Sequence, residues 1–445
     1  MTQTGINRRE FARLAAMGAF GASMSRWLPA LANDTAGNPA RTKSCILLWM
    51  PGGPSHIDTF DPKPDHANGG QFKPIATSVP GIQIGEHFPK LAQQMEHVVP
   101  IRSMTSKEGD HSRATYVIRT GYKAEGPVAY PTIGSVLSKA LATPDAELPN
   151  YVSIGPYRFL NPAAYAPGFL GPKFAPLVVG TPNSANTENY SDDSLRVRNL
   201  SYPQGVNVAQ ADARLNLLDG LEADFAASRP GVVVDSHQTA YRQAVRMMRS
   251  EAVQAFDLSD EKAALRDAYG RNQFGQGCLL ARRLVERGVP FVEVSLNGVN
   301  GSNSFAWDTH VENFAAVKAL CEVLDPAWAT LIADLKHRGL LDSTLIVWMG
   351  EFGRTPRING SAGRDHFPNA WSAVLSGGGI RGGQVVGKTS PDGESVEDRP
   401  VVIGDLMSTI SKALGVDPMQ QNISNVGRPI RIADPEAKPL DEVLL

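Results

Sequence analysis

The sequence predicts an α/β layered fold: a central, mainly parallel sheet flanked by helices. Two patterns carry this reading. Short continuous apolar runs, bounded by Gly, Pro or Asn, recur along the chain, and amphipathic stretches of helical period lie between them. Continuous apolar runs are expected of strands covered on both faces, and their alternation with helices favours parallel pairing. A third observation bears on function: charged and imidazole residues collect just after the apolar runs. In open sheets of this class, ligands bind beyond the carboxyl ends of the strands.

In chain order, strands are expected at Ser44 to Met50 (SCILLWM), His97 to Met104 (HVVPIRSM), Leu148 to Gly155 (LPNYVSIG), Val289 to Leu296 (VPFVEVSL), Ser343 to Gly350 (STLIVWMG) and Trp371 to Gly379 (WSAVLSGGG). Helices are expected at Ser112 to Thr120, Thr132 to Ala142, Gln238 to Ala255, Asp260 to Tyr269, Gly275 to Arg287, Val311 to Arg338 and Ile403 to Leu414, with Ser112 as the N-cap of the first. Pro156 to Gly180 is rich in Pro, Gly and aromatics and lacks a clear period. Thr181 to Pro230 is polar and reads as a long excursion before helices resume. Segments of this kind in a compact domain are usually lids or peripheral insertions. The expected organisation is a single domain over residues 33–445 with an insertion around 156–235.

Residues 1–32 read as an export signal rather than as part of the fold. Arg8 and Arg9, with Phe11 close behind, precede an Ala/Gly-rich, mildly apolar segment that ends in Ala30-Leu31-Ala32. The pair resembles the twin-arginine signal of bacteria, which implies a periplasmic or secreted protein. No stable membrane span is expected, because no apolar run approaches the necessary length.

Lys+Arg is 43 against Asp+Glu 45, a formal net charge of -2. That balance offers no basic footprint for nucleic acid and no polybasic anchor. The 3 cysteines, Cys45, Cys278 and Cys321, lack the spacing of a disulfide framework or a zinc site and are expected as core thiols.

Four strand exits gather the chemistry. After the first strand comes PGGPSHIDTFDPKP, with His56 and Asp58. After the second comes SKEGDHSRATYVIRTGY, with His111 and Arg113. Downstream of the fourth comes FAWDTH, with Asp308 and His310. After the fifth comes GEFGRTPRINGSAGRDHFPNA, with Glu351, Arg354, Asp365 and His366. Of 9 histidines, four (His56, His111, His310 and His366) stand at such a strand exit with a carboxylate one or two residues away. Mixed imidazole and carboxylate ligands suit divalent Zn, Mn or Fe, whereas an oxygen-dominated set favours Mg or Ca.

Several of these motifs resemble a known superfamily. HSRATYVIRTGY is similar to the helix that opens the nucleophile segment of sulfatases. STLIVWMGEFGRTP resembles a late strand of the alkaline phosphatase and sulfatase superfamily, which ends in metal ligands. FAWDTH, GEFGRTP and GRDHFP, after an early GGPSHIDTFDPKP, closely match the bacterial family catalogued as domain of unknown function 1501, within the same superfamily. The resemblance implies an alkaline phosphatase/sulfatase-like fold and a metal-dependent hydrolase of phosphate or sulfate esters.

One or two divalent ions (Zn, Mn, Ca or Mg) are then expected on Asp308, His310, Glu351, Asp365 and His366, with His56 and Asp58 as further ligands. Arg113 or Arg354 would neutralise the ester, and His111 would act as acid or base. The expected substrate is a small anionic ester or a sulfated or phosphorylated glycan. The sulfatase nucleophile position falls on Gly109 or Asp110, so no Cys, Ser or Thr stands there. The alternative is an exported binding or scaffold protein that keeps the fold and a structural ion.

Overall fold

The computed structural model describes residues 43–445 except 144–145, 184–189, 198–199, 201, 229–231 and 300–305. The expected export signal lies outside the described residues. Seven strands form the central sheet: β1 (Ser44–Trp49), β2 (Val98–Met104), β3 (Tyr151–Ile154), β4 (Leu177–Val179), β5 (Phe291–Ser295), β6 (Thr344–Met349) and β7 (Trp371–Gly377). Their spatial order is β2-β7-β6-β1-β5-β3-β4. The pairs β6–β1, β1–β5, β5–β3 and β3–β4 are parallel, while β7 runs antiparallel to both neighbours.

The eight described helices are α1 (His111–Thr120), α2 (Ile133–Ala140), α3 (Val208–Ser228), α4 (Val232–Arg249), α5 (Ala263–Tyr269), α6 (Gln273–Glu286), α7 (Asn313–His337) and α8 (Ile403–Ala413). Strand alternation divides the core in two. Ile46, Leu48, Ile346 and Trp348 pack with Leu279 and Leu280 of α6 and with Leu320, Leu324 and Trp328 of α7. Cys45, Leu47, Trp49, Val347 and Met349 pack with Ile118 of α1, Leu137 of α2, and Leu406 and Ile410 of α8. Both faces are therefore covered, which explains why β1 and β6 are uninterrupted apolar runs rather than alternating ones. The three cysteines are free and buried.

Two stretches differ from expectation. The polar excursion contains the 21-residue helix α3, whose Leu217 and Leu221 are exposed. Its apolar residues do not gather on one buried face, so a search for amphipathic period passes over it. The Pro/Gly-rich segment before it holds β4, the three-residue edge strand. No described helix is long and apolar enough to cross a membrane.

The topology brings distant segments to one edge. Because β7 is antiparallel to both β6 and β2, those two point the same way. The carboxyl ends of β1, β2, β5 and β6 thus share an edge with the start of β7. Just before β7, His366–Phe367 pairs antiparallel with Gly353–Arg354, which follows β6.

Candidate metal centre

Each imidazole at this edge is held by its Nδ1. His111 is the first residue of α1, whose N-cap is Asp110 rather than Ser112. The Asp110 carboxylate accepts the Arg113 backbone N–H at 3.0 Å, which fixes where the helix begins. From there His111 Nδ1 reaches Glu351 Oε1 at 2.6 Å. Glu351 follows β6 directly, is fully buried, and accepts the Gly52 N–H at 2.8 Å through the same oxygen. His366 Nδ1 donates to the Gly109 carbonyl at 2.8 Å, and His310 Nδ1 donates to Asp365 Oδ1 at 2.7 Å. With the proton on Nδ1 in each ring, the Nε2 lone pairs remain for a ligand, the usual arrangement behind metal-binding histidines.

Those Nε2 atoms converge on one carboxylate. Asp308 Oδ1 lies 3.3 Å from His111 Nε2, 3.3 Å from His366 Nε2 and 3.1 Å from His310 Nε2. His310 Nε2 and His366 Nε2 are 3.0 Å apart. Donors bound to one tetrahedral ion at about 2.0–2.1 Å would sit roughly 3.3 Å from each other. Among the described residues, His111, Asp308 and His366 form the one group that could hold an ion, with donor atoms all within 4.8 Å of one another.

Electrostatics fit a cation at this point. Burial opposes a charged His111, yet its hydrogen bonds to Asp308 and Glu351 outweigh burial and push its pKa up to about 9. Burial likewise opposes ionised Asp308, but its contacts with His111 and His366 and the nearby Arg354 guanidinium hold its carboxyl well below the usual range. The carboxylates thus favour positive charge between His111 and Asp308. A proton and a metal ion are alternatives for that place. A donor set rich in nitrogen is of the kind that suits Zn or Mn better than Ca or Mg.

Close backbone approach completes the site. Gly52 has φ +104, and a Cβ there would lie 2.4 Å from the Asp308 backbone nitrogen; at Gly363 a Cβ would lie 1.8 Å from the His310 carbonyl oxygen. Only glycine lets these segments pass so closely.

Several residues expected as ligands or anion binders are engaged elsewhere. Asp58 is fully buried in a bidentate pair with Arg364, at 2.7 and 2.9 Å, and also accepts the Asn313 amide at 2.8 Å. Its oxygens are taken, so it is not available to the ion. Arg354 is buried; it donates to the Gly53 carbonyl at 3.1 Å and bonds the Gly52 carbonyl and Asp308, which makes it a strut rather than an ester clamp. Arg113 is 67% exposed and tied to Glu108 at 2.9 Å. Asp365 Oδ1 and Glu351 Oε1 are engaged with the Nδ1 atoms of His310 and His111, so these carboxylates orient the imidazoles from behind. Gly52 and Gly109 contribute backbone groups, and the Asn359 amide donates to the His310 carbonyl at 3.0 Å and to Asp365 Oδ1 at 3.3 Å; none of these has a counterpart in the motifs. The one trace of them is the glycine pair after β1.

His56 also stands apart. It is buried, its Nε2 donates to the Gly393 carbonyl at 3.1 Å, and its Nδ1 is buried without a hydrogen-bond partner among the described residues. Burial pushes its pKa down to about 4 from 6.5. Between those values the unfolded chain takes up a proton that folded His56 refuses. The stability contributed by neutral His56 is therefore complete above pH 6.5 and drains away as pH falls toward 4, by about 3 kcal/mol in all. Urea unfolding across this window should show a flatter pH dependence in His56→Gln; an unchanged slope would mean that His56 does not drive it.

No curated protein matches the chain. Among solved structures, a sulfatase from Pseudoalteromonas sp. is 14% identical with TM-score 0.33, covering 89% of this chain and 72% of that one. A protein in the alkaline phosphatase superfamily from Vibrio parahaemolyticus is 11% identical with TM-score 0.36, at 89% and 76% coverage. A phosphonate monoester hydrolase from Silicibacter pomeroyi is 12% identical with TM-score 0.32, at 84% and 73% coverage. Likeness at this level carries no argument about chemistry. Residues 42–444 match the family described as protein of unknown function (DUF1501), and the chain belongs to that family.

Proposed function

We propose that the protein is an exported, metal-dependent hydrolase of phosphate or sulfate esters, with His111, Asp308 and His366 as the ligands of one divalent ion. The observation that carries this reading is the convergence of Nδ1-anchored imidazoles on Asp308 Oδ1. Three protein ligands leave a position open, as catalytic sites do. When bound, the ion supplies Lewis-acid polarisation of the ester and acidifies water. Export rests on the Arg8-Arg9 signal.

The chain's own residues divide the remaining work. Glu351 and the Gly109 carbonyl keep His111 and His366 in the donor tautomer. Arg354 fixes Asp308. His310 differs from the other two rings in that its side chain is 41% exposed and Asp365 orients it from the solvent side. The proton-transfer role thus passes from His111 to His310, whose Nε2 can take a proton from attacking water or return one to the leaving alcohol. No hydroxyl or thiol nucleophile is required.

The scaffold reading is favoured by a different observation. If His310 joins the other three donors, the site closes with four protein ligands, as structural sites do. Chromogenic phosphate and sulfate esters separate the two. The hydrolase reading expects turnover that is lost on chelation and restored by Zn or Mn. It also expects His310→Ala to lose about a hundredfold in rate with metal content intact. No turnover by fully metallated protein, or loss of the ion in His310→Ala, would favour the closed site.

A further inference from the structure

We propose that the buried Arg119–Glu293 ion pair is a positioning device: it fixes how far α1 lies along the central sheet, and so where His111 meets Asp308 and Glu351. This rests on the metal-centre part of the reading above and not on ester hydrolysis.

Glu293 is the one carboxylate in the seven strands of the sheet. It lies in β5, in register with Leu47 of β1 on one side and Ser153 of β3 on the other. Both Glu293 and Arg119 are fully buried. Arg119 Nη2 donates to Glu293 Oε2 at 2.5 Å, and the Tyr151 hydroxyl donates to the same oxygen at 2.8 Å. The guanidinium is held on its other sides too. Its Nε donates to the Ala164 carbonyl at 3.1 Å, and its Cζ lies 3.8 Å from the centre of the Tyr165 ring and 5.0 Å from that of Trp49. Burial opposes the charged form, yet the Glu293 carboxylate leads the attractions that outweigh it and hold the guanidinium above its ordinary pKa.

The pair joins the two segments that must agree at the metal centre. Arg119 is in the last turn of α1, eight residues after His111, which is about 12 Å along the helix axis. Downstream of β5 the chain carries Asp308 and His310. Ala114 and Ile118 also seat α1, but burial of apolar surface is non-directional. It holds the helix against the sheet and sets its position along the sheet only weakly. A charge-assisted hydrogen bond is short and directional. A metal ion accepts donor atoms only within about 0.2 Å of their proper distance, so a small slide of α1 would matter. Stability alone does not call for such a pair, because well-packed apolar residues often serve as well or better in its place. Arg119 Nη1 is even buried without a hydrogen-bond partner among the described residues. Position is what an apolar pair would not supply.

The test is zinc affinity, measured on the full chain by competition with a chromophoric chelator, in wild type, in the double variant Arg119→Met/Glu293→Gln and in Arg119→Lys. The double variant removes both charges together, and its new amide oxygen still accepts from the Tyr151 hydroxyl. Affinity is read on protein shown by circular dichroism to be folded without metal, so global unfolding does not enter it. Zinc Kd should rise about tenfold in the double variant. Arg119→Lys keeps the charge but loses the planar fork and the Nε bond, so its Kd should rise by less, about threefold. A pair that only supports the fold would leave Kd unchanged in folded protein, and that result overturns the proposal. Should the double variant not fold, Arg119→Lys decides in the same way: a raised Kd supports the proposal and an unchanged one overturns it. Wild type that binds neither Zn nor Mn would remove the metal centre itself, and this role with it. Wild type that binds zinc no more tightly than both folded variants would remove the role of the pair alone.

Discussion

His366→Ala and Asp308→Ala are each expected to empty the proposed metal centre, and with the ion the part of the thermal stability that it supplies should be lost. A ligand that binds only the folded state stabilises it by an amount set by its excess over Kd, about 2.7 kcal/mol at a hundredfold excess. Chelation should therefore lower the melting temperature of wild type but leave that of His366→Ala unchanged. Asp308→Ala is the harsher change, because it also strips the buried Arg354 guanidinium of its carboxylate. Its stability should fall below that of chelated wild type, whereas His366→Ala should match it. Glu351→Gln makes a finer distinction. It removes the charge behind His111 without touching a ligand atom, so metal affinity should weaken by about ten- to a hundredfold rather than vanish. Chelator-sensitive melting in His366→Ala would place the ion elsewhere.

Arg364→Leu should cost about 3–5 kcal/mol, because it leaves the Asp58 carboxylate buried with only the Asn313 amide as a side-chain partner. Both members of the pair are fully buried, so water cannot replace the guanidinium. Breaking such a pair from one side is worse than removing both charges. Asp58→Asn added to Arg364→Leu should recover much of the loss. Recovery will be incomplete, since Arg364 also donates to the Asn68 and Thr355 carbonyls at 2.8 and 3.1 Å. Denaturant midpoints at neutral pH measure both variants. A loss below about 1 kcal/mol in Arg364→Leu would mean that the pair behaves like an exposed one.

The contrast between Asp58 and Asp308 marks how far the sequence could be read. Both are carboxylates just past a strand exit with a histidine two residues away, and nothing local separates them. What separates them is a partner 306 residues distant: Arg364 closes on Asp58, while its near neighbour Arg354 leaves Asp308 facing three imidazoles. The sheet was legible because its strands are buried on both faces and must be apolar throughout. The site's neighbourhood was legible because three strand exits carry its polar side chains, whereas the exit of β1 gives it only the Gly52 backbone. Roles were not, since a histidine's tautomer depends on whether Glu351, Asp365 or a Gly109 carbonyl stands behind its Nδ1. The exposed helix α3 and the three-residue strand β4 carry too little burial pattern to register.

The central claim is that His111, Asp308 and His366 hold one transition-metal ion. X-ray absorption at the metal edge, on protein whose metal content is first counted by elemental analysis, tests it most directly. The expected result is one Zn or Mn per chain, with a first shell of nitrogen and oxygen and the outer-shell scattering of at least two imidazoles, lost in His366→Ala. An ion with an oxygen-only shell, or a full complement of imidazole-bound metal in His366→Ala, would contradict it.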